Sequence, residues 1–282
     1  MCHGISYLGG FYRMTMNADG DKISWLAQEA AASAGRAVIE QWGALRDHVR
    51  FKGKSDIVTA ADILSDDIVA ACIKAKFPSH RILSEEDTGN HGFDYSGPLW
   101  IVDPIDGTAN YARGHPYFGI SVAFAVDGVV LAGCVHAPAL GETFTAVKGR
   151  GAFLNGNRIR TSSPVSLARA VVSTGFPHEK NNMEPLVKRV HVLLQKCQDI
   201  RRSASPVLDI AYVAAGRLDA HTETLFPWDV AAAGLIANEA GASRCNLGGA
   251  PTNTPADLCG SEVVFSAPTI HHELRECLQL AI

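Results

Sequence analysis

Apolar residues recur at helical spacing from Ile23 to Trp42. Leu26, Ala30, Ala34, Ala37 and Val38 define one face, and its small side chains suit a helix that packs closely. Phe51 to Val58 reads as extended. Thr59 can then cap a second helix with Leu64, Ile68 and Cys72 on one face and Pro78 beyond its end. Short strands over Arg81–Leu83 and Leu99–Val102 bracket a polar loop that holds Glu85, Glu86, Asp87, Gly89 and Asn90. Ile120–Val126 and Val129–Val135, joined through Asp127-Gly128, make the clearest hairpin, because Asp-Gly suits a tight primed turn. Glu142–Val147 is a third antiparallel strand, and Gly149 to Asn157 reads as loops around Phe153-Leu154.

From Val165–Ala170 onward the pattern changes. Strands at Val171–Thr174, Leu218–Thr222 and Val263–Ser266 alternate with helices at Pro185–Cys197, Pro206–Ala215, Val230–Ala240 and Ile270–Leu280, an α/β order. The chain therefore divides into an extension over 1–19 expected to be disordered, an α+β part over 20–164 and an α/β part over 165–282. Met14 or Met16 are alternative starts.

Composition narrows the class. The chain has 282 residues, of which 47% are hydrophobic, enough for one large core or two closely packed ones. With a formal charge of −4 and no basic run longer than Arg201-Arg202, it lacks the electrostatic footprint of a nucleic-acid binder. No segment is apolar for long enough to span a membrane, and none has the layout of a signal peptide. Seven scattered cysteines without a C-x-x-C pair argue against a disulfide framework or a zinc site and fit a cytoplasmic protein.

The candidate chemistry lies at Trp100-Ile-Val-Asp-Pro-Ile-Asp-Gly-Thr-Ala-Asn-Tyr111. A buried strand is expected to end at Pro104, which has no N–H to offer a ladder, presenting Asp103 and Asp106 on a rigid bend. Gly107 permits close backbone approach and Thr108 opens a helix, so hard oxygen ligands and N–H donors meet at one place. By itself the segment is equally an ordinary turn, since Asp, Pro and Gly are the commonest turn residues. Asp229, before the alanine-rich run Val230–Gly234, reads as a helix N-cap. Glu85 and Glu86 alone are a solvated pair, and Asp62 alone is an acidic residue in a helix first turn.

Together these segments resemble the inositol monophosphatase family. The matching blocks are Asp56-Ile-Val-Thr-Ala-Ala-Asp62, Glu85-Glu86, Asp103-Pro-Ile-Asp-Gly-Thr108 and Trp228-Asp-Val-Ala-Ala-Ala-Gly234, within residues 20–282. The resemblance implies a layered αβαβα sandwich of the sugar-phosphatase type, with an antiparallel sheet in the first half and a smaller sheet in the second. It implies a lithium-sensitive, Mg²⁺-dependent phosphatase of small phosphate monoesters that carries two or three ions and forms a homodimer. By the same resemblance Glu85, Asp103 and the Ile105 carbonyl hold one Mg²⁺, and Asp103, Asp106 and Asp229 a second, while Glu86 supports Glu85. Asp62 and Thr108 orient the attacking water, and the Gly107 and Thr108 N–H groups take phosphate oxygens. An all-oxygen set of this kind selects hard cations over zinc or copper.

Substrate choice is expected at Ala204, Ser205, Asp106 and Glu223. The family's usual Gly-(Ser/Thr)-Ala-Ala is Ala204-Ser-Pro-Val207 here, and the spacing from Glu223 to Trp228 is one residue short. The resemblance points first to myo-inositol 1-phosphate. Histidinol phosphate, 3′-phosphoadenosine 5′-phosphate and fructose 1,6-bisphosphate are the alternatives, with a non-catalytic regulatory protein as a further one. Among the eleven histidines only His115 falls near the signature, and a surface or supporting role is expected for it.

Overall fold

A computed structural model of the protein describes residues 6–42, 50–52, 56–58, 60–86, 93–177, 183–249 and 254–280. Helix α1 (Ser6–Gln41) carries the predicted apolar face, with Ile23, Leu26, Ala27, Ala30, Ala31, Ala34 and Val38 all buried. It begins earlier than expected: the backbone of residues 6–19, read from sequence as disordered, continues this helix. Strands β1 (Arg50–Lys52) and β2 (Asp56–Val58) pair antiparallel, and α2 (Ala60–Lys76) follows. The predicted cap Thr59 lies outside the described residues, as do Asp87, Gly89 and Asn90 of the polar loop.

A seven-stranded sheet comes next, in the spatial order β3 (Arg81–Ser84), β4 (Pro98–Asp106), β5 (Gly119–Val126), β6 (Val129–Ala137), β7 (Glu142–Val147), β8 (Ala152–Leu154) and β9 (Asn157–Ile159). Only β3 and β4 run parallel; every other pair is antiparallel. Between β4 and β5 lies the short helix α3 (Thr108–Ala112). At the β5–β6 turn Asp127 and Gly128 both take positive φ, as a primed turn requires. The same chemistry recurs at Asn155-Gly156, which joins β8 to β9 in the stretch read as loops.

The second half builds a five-stranded sheet, spatially ordered β11-β10-β12-β14-β13. Its elements along the chain are β10 (Val171–Thr174), α4 (Glu184–Lys196), β11 (Asp199–Arg201), α5 (Pro206–Ala214), β12 (Ala220–Glu223), α6 (Pro227–Glu239), β13 (Ser243–Asn246), β14 (Val263–Ser266) and α7 (His271–Gln279). The two edge strands, β11 and β13, were not legible because each is short, β11 largely exposed and β13 only half-buried.

Three buried clusters define the layers. One joins α1 and α2 to one face of the large sheet through Trp100, Val102, Ile120 and Val122. A second packs α5 and α6 between the other face of that sheet and Phe265 of β14. The third sets α4 and α7 on the far side of the small sheet. The result is the expected αβαβα sandwich. Among the described residues no helix is long and apolar enough to cross a membrane.

One expectation fails where it matters most. Pro104 does not end β4, which continues to Asp106 across a register shift: Asp103 pairs with Ser121 and Asp106 with Gly119. Two residues, Pro104 and Ile105, thus stand opposite one, which is a β-bulge, and a bulge tolerates proline because its extra residue leaves the ladder. In a regular strand positions three apart face opposite sides. The extra residue resets the alternation, so Ile105 joins Trp100 and Val102 beneath α1 and α2 while Asp103 and Asp106 both face the α5–α6 layer.

Candidate active site

Asp103, Asp106 and Asp229 each offer a carboxylate oxygen, and these atoms lie within 4.8 Å of one another; all three residues are buried. Asp229 is not the cap of α6, as the sequence suggested. The helix begins at Pro227, so Asp229 stands within the first turn, and one of its oxygens accepts the Phe226 N–H at 2.8 Å. Asp106 is fixed differently. Its Oδ2 accepts the Val207 N–H at 2.9 Å and the Ser205 hydroxyl, so it caps α5 from another element. Pro206 takes the first helical position, where its missing N–H leaves nothing unpaired.

Burial first, and then the neighbouring carboxylates, drive the pKa of Asp103 well above the ordinary range, with Glu85 the leading neighbour and Asp106, Asp229 and Asp62 behind it. Asp106 is raised by burial and by Asp229, against the lowering effect of Ser205 and Val207. Asp103 Oδ1 is buried and has no hydrogen-bond partner among the described residues. An orphaned buried carboxylate oxygen facing two more carboxylates fits a bound cation, whose charge would relieve the repulsion and whose coordination would satisfy the oxygen. Glu85 joins them from the end of β3, where its N–H donates to Val102 O at 3.2 Å and extends the parallel ladder; Glu86 follows it with its N–H on the Ser84 hydroxyl.

Thr108 lies on the other side of the bulge. Its hydroxyl is 3.0 Å from Asp62 Oδ1 and 3.0 Å from the Ile105 carbonyl oxygen. Asp62 is buried in the first turn of α2, and one turn later Ser65 donates to the Pro104 carbonyl at 2.7 Å. That carbonyl belongs to the bulge, so α2 both braces the bulge and delivers Asp62 to it. Gly107 turns the chain at φ 91°, and a Cβ there would stand 3.1 Å from the Ala204 carbonyl and 3.3 Å from Ser205 Cβ. Only glycine meets both conditions.

The expected substrate-reading residues separate. Ser205 is buried and committed to Asp106, and Ala204 is half-buried with φ 65°. Glu223 closes β12 with its carboxylate against the Gly175 backbone, where a Cβ would lie 2.0 Å from Oε1. His115 is exposed and its Nδ1 accepts the Tyr117 N–H at 3.3 Å, the supporting surface role expected of it.

Sequence reasoning missed a polar cluster behind α5. Asp209 is buried one turn after Ser205, accepts the Tyr117 hydroxyl at 2.8 Å and faces the wholly buried His221. A charged residue within the apolar run Val207-Leu-Asp-Ile210 was the available signal.

The profile of the inositol monophosphatase family matches residues 19–279. The chain is 37% identical over 260 residues to the inositol-1-monophosphatase of Rhizobium meliloti, which covers 90% of this chain and 95% of that protein. It is 36% identical over 257 residues to the Nus factor SuhB of Pasteurella multocida, covering 90% and 94% respectively. The solved structure of the Thermotoga maritima IMPase matches with a TM-score of 0.80 at 34% identity, over 94% of this chain and 98% of that one. With its bulged strand, its buried acidic cluster and these likenesses over nearly its whole length, the chain belongs to the inositol monophosphatase family of metal-dependent phosphomonoester hydrolases.

Proposed function

We propose that the protein hydrolyses a small polyol-type phosphate monoester with Mg²⁺, with myo-inositol 1-phosphate as the first substrate. The observation that carries the reading is the meeting of Asp103, Asp106 and Asp229 at one buried point, with Asp103 Oδ1 left without a partner among the described residues. An all-oxygen acidic set selects hard cations, and Glu85 and the Ile105 carbonyl complete the donors for two or three ions. Bound there, the ions supply positive charge that polarises the phosphoryl group, acidifies water and stabilises the leaving alkoxide.

The chain's own groups do the rest. Asp62 Oδ1 accepts the Thr108 hydroxyl, which leaves lone pairs on Thr108 Oγ1 to receive a hydrogen bond from the attacking water and point its oxygen at phosphorus. Asp62 is the carboxylate to which that proton passes through the Thr108 hydroxyl. The N–H groups of Gly107 and Thr108 take phosphate oxygens beside the carboxylates. Ser205 and Val207 hold Asp106 Oδ2, so Asp106 acts as a fixed ligand, and reading of the alcohol falls to Glu223.

A second reading has one observation in its favour. Phe226 is 61% exposed and stacks on Trp228 at 4.8 Å, directly before Asp229. A flat apolar face so close to the site favours an ester that carries a ring, such as histidinol phosphate or 3′-phosphoadenosine 5′-phosphate.

The experiment is phosphate release from a panel of these esters, fructose 1,6-bisphosphate and p-nitrophenyl phosphate, with Mg²⁺ and with excess chelator. The expected result is the highest kcat/KM on myo-inositol 1-phosphate and no turnover in chelator. Preference for a ring-bearing ester transfers the assignment to the second reading. No release from any ester with Mg²⁺ overturns both and leaves a non-catalytic member of the fold.

A further inference from the structure

His221 sits in β12, the central strand of the small sheet, paired with Ser173 of β10 and Phe265 of β14. It is wholly buried, a position where a histidine needs partners for both ring nitrogens. Nδ1 lies 2.9 Å from Ser173 Oγ and 3.7 Å from Asp209 Oδ2. Nε2 has no hydrogen-bond partner among the described residues, and it faces Glu223 Oε2 at 3.6 Å, an electrostatic contact just longer than a hydrogen bond.

Burial pushes the imidazole down to about 3, so the ring is neutral and carries one hydrogen. A carboxylate beside Nε2 only accepts. A ring hydrogen on Nε2 is the arrangement that suits Glu223, and Nδ1 then accepts from the Ser173 hydroxyl, which turns to it rather than to its other acceptors, the Ala220 carbonyl oxygen at 3.4 Å and Asp209. The Glu223 carboxylate then rests between an N–H on one side and the bare Cα of Gly175 on the other, space that any Cβ would fill. The seat is continuous with the acidic cluster: Asp106 caps α5, and Asp209 on the next turn of α5 faces His221.

We propose that His221 is a positioning residue which, with the Gly175 cradle, aims the Glu223 carboxylate at the alcohol of the substrate. The substrate class follows: a polyol that presents hydroxyl donors to a pre-oriented, acceptor-only group. This rests on the reading of Glu223 as the residue that contacts the alcohol.

The test compares Glu223→Gln, His221→Asn, His221→Gln and Gly175→Ala by the ratio of kcat/KM on myo-inositol 1-phosphate to that on p-nitrophenyl phosphate. Loss of an oriented charged hydrogen bond is worth about 10-fold or more. E223Q is expected to lower the ratio by about that factor, and H221N and G175A to reproduce the fall. H221Q should keep most of the ratio, because a glutamine amide nitrogen reaches roughly where Nε2 stands and an asparagine amide does not. Nitrogen-detected NMR of His221, assigned by its loss in H221N, should show a neutral ring with the hydrogen on Nε2 from pH 6 to 8. A normal ratio in H221N beside a depressed one in E223Q overturns the positioning role and leaves the Glu223 reading intact. An unchanged ratio in E223Q overturns that reading and the inference with it. Equal falls in H221N and H221Q, or a hydrogen found on Nδ1, show a merely structural histidine and also overturn the inference.

Discussion

The Asp106 carboxylate accepts the Val207 N–H at 2.9 Å, so a candidate metal ligand also caps the first turn of α5, whose N-cap residue Ser205 makes no such bond itself. Removing it should therefore damage two things that separate by choice of variant. Asp106→Asn keeps an acceptor for Val207, whereas Asp106→Ala removes it, and losing a helix cap costs about 1 kcal/mol, with a range up to about 2. Both variants should lose activity. Thermal unfolding in chelator should place the alanine variant below the asparagine variant by that amount, and coincident melting curves would show that α5 does not depend on this cap.

Asp103→Asn should uncouple stability from activity. In wild type, burial and the surrounding carboxylates oppose the Asp103 charge. Neutralising it should raise the melting temperature in chelator while kcat with Mg²⁺ falls by about 100-fold or more. Wild type should gain stability as Mg²⁺ is added, since a ligand bound only by the native state stabilises it. That gain should shrink in the variant. An equal Mg²⁺-induced shift in the two proteins would remove Asp103 from the ligand set.

Thr108 and Asp62 are expected to act as one unit, because the hydroxyl lies 3.0 Å from Asp62 Oδ1. Thr108→Ala and Asp62→Asn should each lower kcat by about 10²-fold or more, the scale of positioned proton transfer. The double variant should be little worse than the poorer single one. Multiplicative losses in steady-state kinetics would mean that the two side chains contribute separately.

Asp209 predicts a pH dependence of stability. Burial raises its carboxyl from 3.8 to about 6, against the lowering effect of Tyr117, Ser203, Ser173 and Arg202, with neutral His221 also facing it. The folded protein thus holds a proton that the unfolded chain releases between about pH 4 and 6, so this group's contribution to stability falls as pH rises through that window and is lowest at neutral pH, by about 3 kcal/mol. Asp209→Asn should remove that slope. Denaturant titrations at matched pH should show the variant gaining on wild type from pH 4 to about 6.5 and holding the difference above. Parallel curves would mean that Asp209 does not titrate in that range.

Much of the candidate site was legible because its carboxylates sit in contiguous motifs, and a run such as Ile101-Val-Asp-Pro-Ile-Asp-Gly107 carries its strand, its carboxylates and its turn together. The bulge was not legible. Proline at 104 predicts only that the ladder is interrupted, whereas continuation to Asp106 depends on β5 opposite it and on Ser65 reaching from α2. For the same reason Ser205 read as a residue facing substrate: nothing local says that its hydroxyl is spent on Asp106, which is remote in sequence. Asp229 was displaced by a smaller effect, since Pro227 opens α6 two residues before the aspartate. His221 was invisible because a histidine within a strand of four residues, Ala220-His-Thr-Glu223, carries no periodic signal, and its meaning comes from Asp209 and Glu223 on either side.

The extra residue in β4 has a consequence for how this sequence can vary. Side-chain parity along a strand is a count, so the number of residues between Asp103 and Asp106 is constrained more tightly than their identity. Deleting one would turn Asp106 toward α1 and α2, disband the acidic cluster and uncap α5 in a single step, with every carboxylate still present in the sequence. One residue gained or lost at the exposed Asn155-Gly156 turn would lengthen or shorten a hairpin at the sheet's edge and leave the cluster in place. Spacing, as much as composition, is what this fold has to inherit.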